Sequence, residues 1–327
     1  MNTEFGENRG TYGPGEVPPE YEQSAVAEEF TTTRQRLVEG VLGDRMALFG
    51  AVVILLFILT AAFAPYIAPY GEEQTFGFMK EPLSSSQGDF DDDGELEQAF
   101  HPLGTDSFGH DILTRLIYGA QVSLLVALAT LAVAFTFGTA IGILAGYHGG
   151  WVDSLLMRYV DFQWAFPELI LGVAIIALSG GLGVVNVVIA IGIAYIDDFA
   201  RLIRGEVLSI REEEYIMAAQ TVGMSDVRIM TKEILPNAVA PLIVQATLML
   251  PLAILAEAGL SFLGLGVRPT TPTWGLLLSD GRQFISEAWW ISVMPGLAIM
   301  LTVLAFNMFG DGLRDAFDID EGEVEAR

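Results

Sequence analysis

Residues 209–237 read SIREEEYIMAAQTVGMSDVRIMTKEILPN and interrupt a chain that is otherwise strongly apolar. The stretch lies between two apolar segments, 184–203 and 238–256. Each of these segments is long enough for a helix to cross the roughly 30 Å hydrocarbon core of a bilayer. The stretch itself is too polar to cross lipid, yet it carries regular helix signals. It therefore predicts two short amphipathic helices held in water beside a membrane.

The composition is also typical of a membrane protein. Hydrophobic residues make up 52% of the 327 residues, charged residues make up 17%, and the mean hydropathy is +0.48. An ordinary soluble domain has about 25% charged residues. The apolar residues are bunched into six runs of membrane-crossing length, at 46–64, 122–145, 152–178, 184–203, 238–256 and 291–309. We therefore predict an all-α membrane protein with six transmembrane helices.

The net charge is strongly acidic. The chain has 41 Asp and Glu against 16 Lys and Arg, which gives a formal charge of −25. No basic face is present, which disfavours nucleic-acid binding. Acidic surfaces of this kind are typical of a high-salt cytoplasm, and we expect a halophilic source. The chain has no cysteine, which excludes disulfides and thiol chemistry.

The distribution of Lys and Arg predicts the orientation in the cell membrane. With a cytoplasmic N-terminus, ten of these residues are cytoplasmic and four are external, leaving out two near span ends. We therefore expect both termini in the cytoplasm. The segments then expected are a partly disordered acidic tail at 1–45, a transmembrane domain at 46–318 with external loops at 69–115 and 259–290 and a cytoplasmic loop at 205–237, and an acidic tail at 319–327.

The first predicted helix of the cytoplasmic loop begins at a capping box formed by Ser209 and Glu212. It ends at Gly223, which fits the C′ position of a helix. Between these points, residues spaced i, i+3, i+4 and i+7 form a narrow apolar face with small residues at its centre. The members of that face are Tyr215, Ala218, Ala219 and Val222.

The second predicted helix begins at Ser225, whose side chain is expected to cap it. It ends before Pro236, because the residue before a proline avoids the α region. Its apolar face is Val227, Met230 and Ile234. The two helices could lie flat on the bilayer or contact a protein partner. Three consecutive glutamates, at 212–214, disfavour an anionic lipid surface, so we favour a protein partner.

The segment AAQTVGMSDVRIMTKEILP at 218–236 resembles the coupling loop of ATP-binding-cassette (ABC) importer permeases. The family pattern is Glu-Ala-Ala, three residues, Gly and a distal Leu-Pro. Met217 stands where the family has Glu, and Glu214 is a candidate replacement on a different helical face. The resemblance implies that this loop docks into a groove of an ATPase subunit. The expected ATPase-coupling residues are Tyr215, Ala218, Ala219, Gly223, Ser225, Leu235 and Pro236.

Four more segments narrow the resemblance. They are HPLGTDSFGHDILTRLIYGAQVSL (101–124), DSLLMRYVDFQWAFPELIL (153–171), EAGLSFLGLGVRPTTPTWG (257–275) and PGLAIMLTVLAFNMFGDGLRD (295–315). Together they are similar to the second permease subunit of dipeptide, oligopeptide and nickel importers. This implies the type I ABC importer permease fold, a heterodimer with a homologous permease, two ATPase subunits and an extracellular substrate-binding protein. The implied substrates are chiefly peptides, with nickel chelates as a minority.

Polar residues inside the apolar runs are candidates for the translocation path, since intramembrane acids are functional by default. Pro167 is expected to kink the third span. Arg158 precedes Asp161 by three residues, so a structural ion pair between them is an equally good interpretation. The candidate path residues are Asp161, Gln163, Glu168 and Glu257.

A stripe of small residues in the second span consists of Gly138, Gly142 and Gly146. Such a stripe allows another helix to approach closely. The approaching helix could belong to the same subunit or to a partner permease, and the sequence leaves both open.

Enzyme chemistry is not indicated. The sequence has no phosphate-binding loop, so we expect ATP to be hydrolysed by partner subunits. We expect no catalytic residues, no cofactor and no convergent histidine metal site. Asp89, Asp91 and Asp93 match the first positions of a calcium loop, but position 12 is Phe100 rather than Glu. A solvated acidic loop is therefore favoured over calcium binding.

A self-sufficient ion-coupled carrier is the alternative interpretation. It would use the buried acids as a proton or sodium relay, and such carriers typically contain inverted repeats with paired broken helices. No second copy of the third span is visible in the sequence. This alternative also leaves the capped cytoplasmic helices without a role.

The orientation predicts which single cysteines react on intact cells. A cysteine replacing Ser85 should react with a membrane-impermeant maleimide, because the 69–115 segment is expected outside. A cysteine replacing Ser225 should react only after the membrane is opened. Because the chain has no native cysteine, no background needs to be removed. The reverse labelling pattern would overturn the orientation.

Overall fold

The computed structural model describes residues 43–88, 97–179 and 181–325, and for 97 and 318–325 it describes the backbone alone. Helices dominate this part of the chain. In order they are α1 (Arg45–Ala62), α2 (Ala64–Ile67), α3 (Ile112–His148), α4 (Gly150–Trp164), α5 (Glu168–Ser179), α6 (Val184–Ala194), α7 (Ile196–Ile210), α8 (Glu214–Thr221), α9 (Asp226–Arg228), α10 (Leu235–Asn237), α11 (Val239–Phe262), α12 (Trp274–Gly281) and α13 (Trp290–Glu325). A π-helical segment, Ile229–Ile234, joins α9 to α10, and a 3₁₀ turn, Arg282–Phe284, follows α12.

One antiparallel hairpin corrects the all-α expectation. It pairs β1 (Ser84–Gly88) with β2 (Glu97–His101), so that Ser84 lies opposite His101. The hairpin falls within the predicted external loop 69–115. The candidate calcium residues Asp89, Asp91 and Asp93 lie outside the described residues, as does the predicted disordered tail up to residue 42.

Four of the described helices are long and apolar enough to cross a membrane: α1, α3, α11 and the Trp290–Phe317 part of α13. A fifth crossing is counted if α4 and α5 together form one bent span. Six single helices are therefore not found in the described chain. The predicted fourth span is divided between α6, with 11 residues, and α7, with 15 residues, and each is too short to cross alone.

The predicted third span is broken rather than kinked. The axes of α4 and α5 differ by 96°, and the break lies at residues 165–167. Pro167 was expected to cause a kink, and it immediately precedes α5. Proline has no backbone N–H to donate, so the pattern of helical hydrogen bonds is interrupted there.

The glycine stripe of α3 packs against α7 of the same subunit. A Cβ on Gly138 would lie 2.6 Å from the Ile196 carbonyl oxygen, and one on Gly146 would lie 2.8 Å from Cβ of Val207. A Cβ on Gly142 would collide with Ile203. Ile203 and Val207 are both fully buried. Of the two alternatives left open by the sequence, packing within the subunit is therefore correct for this stripe.

Helix α3 is anchored at its first turn. It has 37 residues, and Asp111 caps its N-terminus by accepting a 2.8 Å hydrogen bond from the Thr114 backbone N–H. Asp111 also bonds His101 at the end of β2, over 3.1 Å. The hairpin and the first turn of α3 are thus joined through a single carboxylate.

The close approach of α3 and α7 predicts the effect of Gly142→Val. The added side chain would overlap Ile203 and the Ala200 carbonyl, and overpacking of this kind typically destabilises a protein by about 1–3 kcal/mol. We expect a lower melting temperature of the purified permease in detergent. Gly205→Val is the matched control, because Gly205 is on α7 and a Cβ there meets open space. Equal melting temperatures for the two variants would contradict the packing role.

Candidate functional site

The coupling loop begins later than the sequence predicted. Ser209 lies inside α7, so the capping box of Ser209 and Glu212 does not form. Helix α8 begins at Glu214, and Glu213 occupies its N-cap position without a side-chain hydrogen bond to the described residues. The first helix of the loop therefore has eight residues and follows a short turn.

The end of α8 forms as predicted. Gly223 has φ of 79°, the left-handed conformation that favours glycine. The Met224 N–H donates to the Ala219 carbonyl over 3.1 Å, and the Gly223 N–H donates to the Gln220 carbonyl over 3.0 Å. These two bonds define a Schellman motif. Gly223 therefore reverses the chain between α8 and α9.

Helix α8 packs against its own subunit through Ile216, which is fully buried, and Ala219, which is nearly so. The other members of the predicted apolar face are exposed: Tyr215 is 43% and Val222 79% exposed, and Ala218 is also exposed. Their contact with a partner protein stays a prediction. Sequence spacing did not identify Ile216 as the residue that fastens this short helix to its own subunit.

The second part of the loop also departs from its predicted form. Ser225 occupies the N-cap of α9, but its side chain makes no capping bond within the described chain. Pro236 does not end the helix; it lies in the first turn of α10, where no backbone N–H is needed. Met230 and Ile234 are buried as expected, and Val227 is 67% exposed.

Hydrogen bonds fasten the coupling loop to the membrane helices. The Tyr147 hydroxyl, at the end of α3, donates to Asp226 Oδ1 over 2.8 Å. Arg211 donates to the Gly146 carbonyl over 2.8 Å. Within the loop, Asn237 donates to the Tyr215 hydroxyl over 3.2 Å. Burial raises the pKa of Tyr215 above its ordinary value, so this phenol stays neutral.

The loop exposes several large apolar side chains. Met217, Val222 and Val227 are 51%, 79% and 67% exposed. The consecutive glutamates 212–214 are also exposed. Exposed apolar side chains on a loop held by several hydrogen bonds are suited to contact another protein.

The candidate path residues are only partly brought together. Gln163 and Glu168 line one cavity of about 350 Å³ at the α4–α5 break. Asp161 lines a neighbouring cavity, where it pairs with Arg201 over 3.0 Å rather than with Arg158. Arg201 lies 40 residues further along the chain, so the local ion pair that the sequence suggested is wrong.

Glu257 lies apart from these residues. It is 1% exposed on α11 and accepts a 2.7 Å hydrogen bond from Ser261. It does not line the cavity at the break. Asp197, which does line that cavity, was missed by the sequence analysis. The sequence contains a signal for Asp197 as a candidate path residue, because Asp197 and Asp198 interrupt an apolar run.

A second missed cluster joins Ser86, His101 and Asp111. The Ser86 hydroxyl lies 2.9 Å from His101 Nε2, and His101 Nδ1 lies 3.1 Å from Asp111 Oδ1. The order of groups is that of a hydrolytic triad. Their exposures are 3%, 0% and 1%, so a substrate has no access to the Ser86 hydroxyl. The cluster holds the hairpin against α3. Nowhere in the described ranges do three or more acidic or histidine side chains form a metal-ion cluster.

Comparison with known proteins identifies the family. Residues 138–319, more than half of the chain, match the family described as binding-protein-dependent transport system inner membrane component. Residues 42–82 match the N-terminal TM domain of oligopeptide transport permease C. The chain belongs to the family of binding-protein-dependent transport system inner membrane components, and it is a multi-pass membrane permease subunit. The resemblance found in the sequence is confirmed.

Individual relatives agree with this assignment. The dipeptide transport system permease protein DppC of Alkalihalophilus pseudofirmus is 44% identical over 97% of this chain and 98% of its own. The glutathione transport system permease protein GsiD of Escherichia coli O157:H7 is 41% identical over 84% of this chain and 86% of its own. The methionine ABC transporter MetNI, in an inward-facing conformation, gives a TM-score of 0.51 at 19% identity. That match covers 62% of this chain and 96% of the solved chain and shows the fold.

The bond between Tyr147 and Asp226 predicts the effect of Tyr147→Phe. Losing one hydrogen bond should raise amide hydrogen exchange across 213–237 by roughly two- to tenfold. Tyr159→Phe is the matched control, because Tyr159 is also a tyrosine of a membrane helix and its hydroxyl makes no hydrogen bond to the described residues. Unchanged exchange in Tyr147→Phe would show that this bond does not hold the loop.

Proposed function

We propose that this chain is one of two homologous permease subunits of an ATP-driven importer of short peptides. In this proposal two ATPase subunits bind on the cytoplasmic side and an extracellular binding protein delivers the peptide. The relatives named above are described as dipeptide and glutathione transport permeases, which supports short peptides as the cargo. The permease itself performs no ATP chemistry, and its work is conformational.

The coupling loop carries the proposal. Its glycine reversal at Gly223 is geometrically defined, its base is bonded to α3 through Tyr147, and several of its large apolar side chains are exposed. A loop that only connected two membrane helices would need none of these features. The exposed residues suited to meet an ATPase are Tyr215, Met217, Val222 and Val227. Of the residues expected to couple, Ala219 supports the Schellman bond rather than offering contact surface.

The proposed topology has six crossings with both termini in the cytoplasm. It counts α4 with α5 as one bent crossing and α6 with α7 as another. Only Tyr195 separates α6 from α7, so these two helices together are long enough to span the bilayer. This arrangement puts the hairpin outside and the coupling loop inside, which agrees with the distribution of Lys and Arg.

An ion-coupled carrier accounts for fewer observations. The chain belongs to a family of binding-protein-dependent transport components, and the coupling loop has no role in a carrier. Uptake that stopped on addition of a proton uncoupler while cellular ATP was maintained would favour the carrier.

The conformation of Gly223 provides the test of the coupling role. Valine in the left-handed region should cost about 1–2 kcal/mol and misdirect the chain reversal. A Cβ at this position meets open space within the subunit, so the side chain would project toward the partner. We expect Gly223→Val to reach the membrane at normal abundance, to lose co-purification with the ATPase subunits, and to lose peptide uptake.

Two further variants serve as controls for Gly223→Val. Gly223→Asn should retain more uptake, because asparagine adopts the left-handed conformation more readily than valine. Ser225→Ala should behave like the wild type, because the Ser225 side chain makes no capping bond to the described residues. Wild-type uptake and assembly by Gly223→Val would refute the coupling role.

A further inference from the structure

The cavity at the α4–α5 break has a polar wall that the transport proposal does not yet explain. It has a volume of about 350 Å³ and is lined by residues 163–168 together with Ala194 and Asp197. This volume is in the range of small-molecule sites. Part of the wall is formed by residues 165–167, which belong to neither helix, because α4 ends at Trp164 and α5 begins at Glu168. Interrupted membrane helices of this kind expose polar backbone to ligands.

The carboxylates of the cavity form no salt bridge with the described residues. Asp197 is 5% exposed, and Glu168 is the first residue of α5. The charge of Arg201 acts on Asp197, but Arg201 is salt-bridged to Asp161. A buried carboxylate without a salt-bridge partner is unfavourable, particularly in a membrane protein. One arginine therefore faces more than one carboxylate here, and the cavity has an excess of negative charge.

Gln163 provides the independent observation. Its amide nitrogen donates to the Ile193 carbonyl over 2.6 Å and to Asp197 Oδ1 over 3.3 Å. These two acceptors fix the orientation of the amide, because its nitrogen must face them. Gln163 is only 4% exposed, so its amide oxygen is buried as well. That oxygen has no hydrogen-bond partner in the described chain. An unpaired buried carbonyl oxygen next to carboxylates requires a donor.

We propose that this cavity binds a monovalent cationic group, and that its ligand is the amino-terminal ammonium group of a peptide in transit. This proposal rests on the proposed function. An ammonium group has one positive charge and three N–H donors, and the cavity offers Asp197, Glu168 and the amide oxygen of Gln163 as acceptors. An alkali-metal ion shares the charge but has no N–H donors, so the experiment must separate the two.

A single cysteine in the cavity can report its occupancy. The chain has no cysteine, and Ala165 is exposed and lines the cavity. The assembled transporter with Ala165→Cys is treated with N-ethylmaleimide, and the labelling rate of this chain is measured. The added probes are dialanine, N-acetyl-dialanine, potassium chloride and sucrose at equal osmolarity. Leu155→Cys, on α4, 61% exposed and outside the cavity, is the matched control.

We expect dialanine to slow labelling of Ala165→Cys, whereas N-acetyl-dialanine, potassium chloride and sucrose should not. Adding Asp197→Asn or Glu168→Gln should raise the dialanine concentration needed for protection about tenfold, because each removes a charged acceptor. Labelling of Leu155→Cys should not respond to any probe. Glu168 is exposed and bonds the Tyr195 hydroxyl, an interaction that the glutamine amide can also make, so Glu168→Gln keeps the test valid if Asp197→Asn fails to fold.

Three results would overturn the proposal: no protection by dialanine, equal protection by N-acetyl-dialanine or potassium chloride, or full protection in both carboxylate variants. Uptake of labelled dialanine into proteoliposomes with ATP is measured in parallel. Protection without uptake would reject the peptide importer and leave the cationic site standing. Uptake without protection would reject the site alone.

Discussion

The contact between α3 and α7 is the constraint on which both functional regions depend. Inside a bilayer, helices gain little from hydrophobic burial, so their association relies on close packing. Gly138, Gly142 and Gly146 allow the backbone of α7 to approach until any added Cβ would collide with it. That approach fixes α7 against α3 along most of its length.

Helix α7 connects the cavity to the coupling loop. Asp197, in its first turn, contributes to the cavity wall, and its last residue, Ile210, leads into the loop. Its 15 residues span about 22 Å at 1.5 Å per residue. Arg204, between these ends, bonds Asp153 of α4 through two hydrogen bonds of 2.6 and 2.7 Å. A displacement of the loop that moves α7 as a rigid body therefore also moves one wall of the cavity.

Local sequence signals predicted part of this arrangement. The reversal at Gly223 depends on one backbone conformation that glycine favours, and the lengths of α1 and α11 follow from apolar runs. The predicted capping box at Ser209 was wrong because α7 continues through Ser209 to Ile210. The last turns of α7 are held against α3 by Val207, which packs on Gly146. The partner of Asp161 was wrong because Arg201 comes from a different helix. Rules based on the spacing of residues along the chain do not predict tertiary contacts of this kind.

The length of α3 has a mechanical consequence. At 37 residues it is about 55 Å long, nearly twice the thickness of the hydrocarbon core. One end is bonded to the hairpin through Asp111 and His101, and the other to the coupling loop through Tyr147. A tilt of about 5° about its midpoint displaces each end by about 2.4 Å in opposite directions. A rigid tilt of α3 would therefore move the hairpin and the coupling loop in opposite directions.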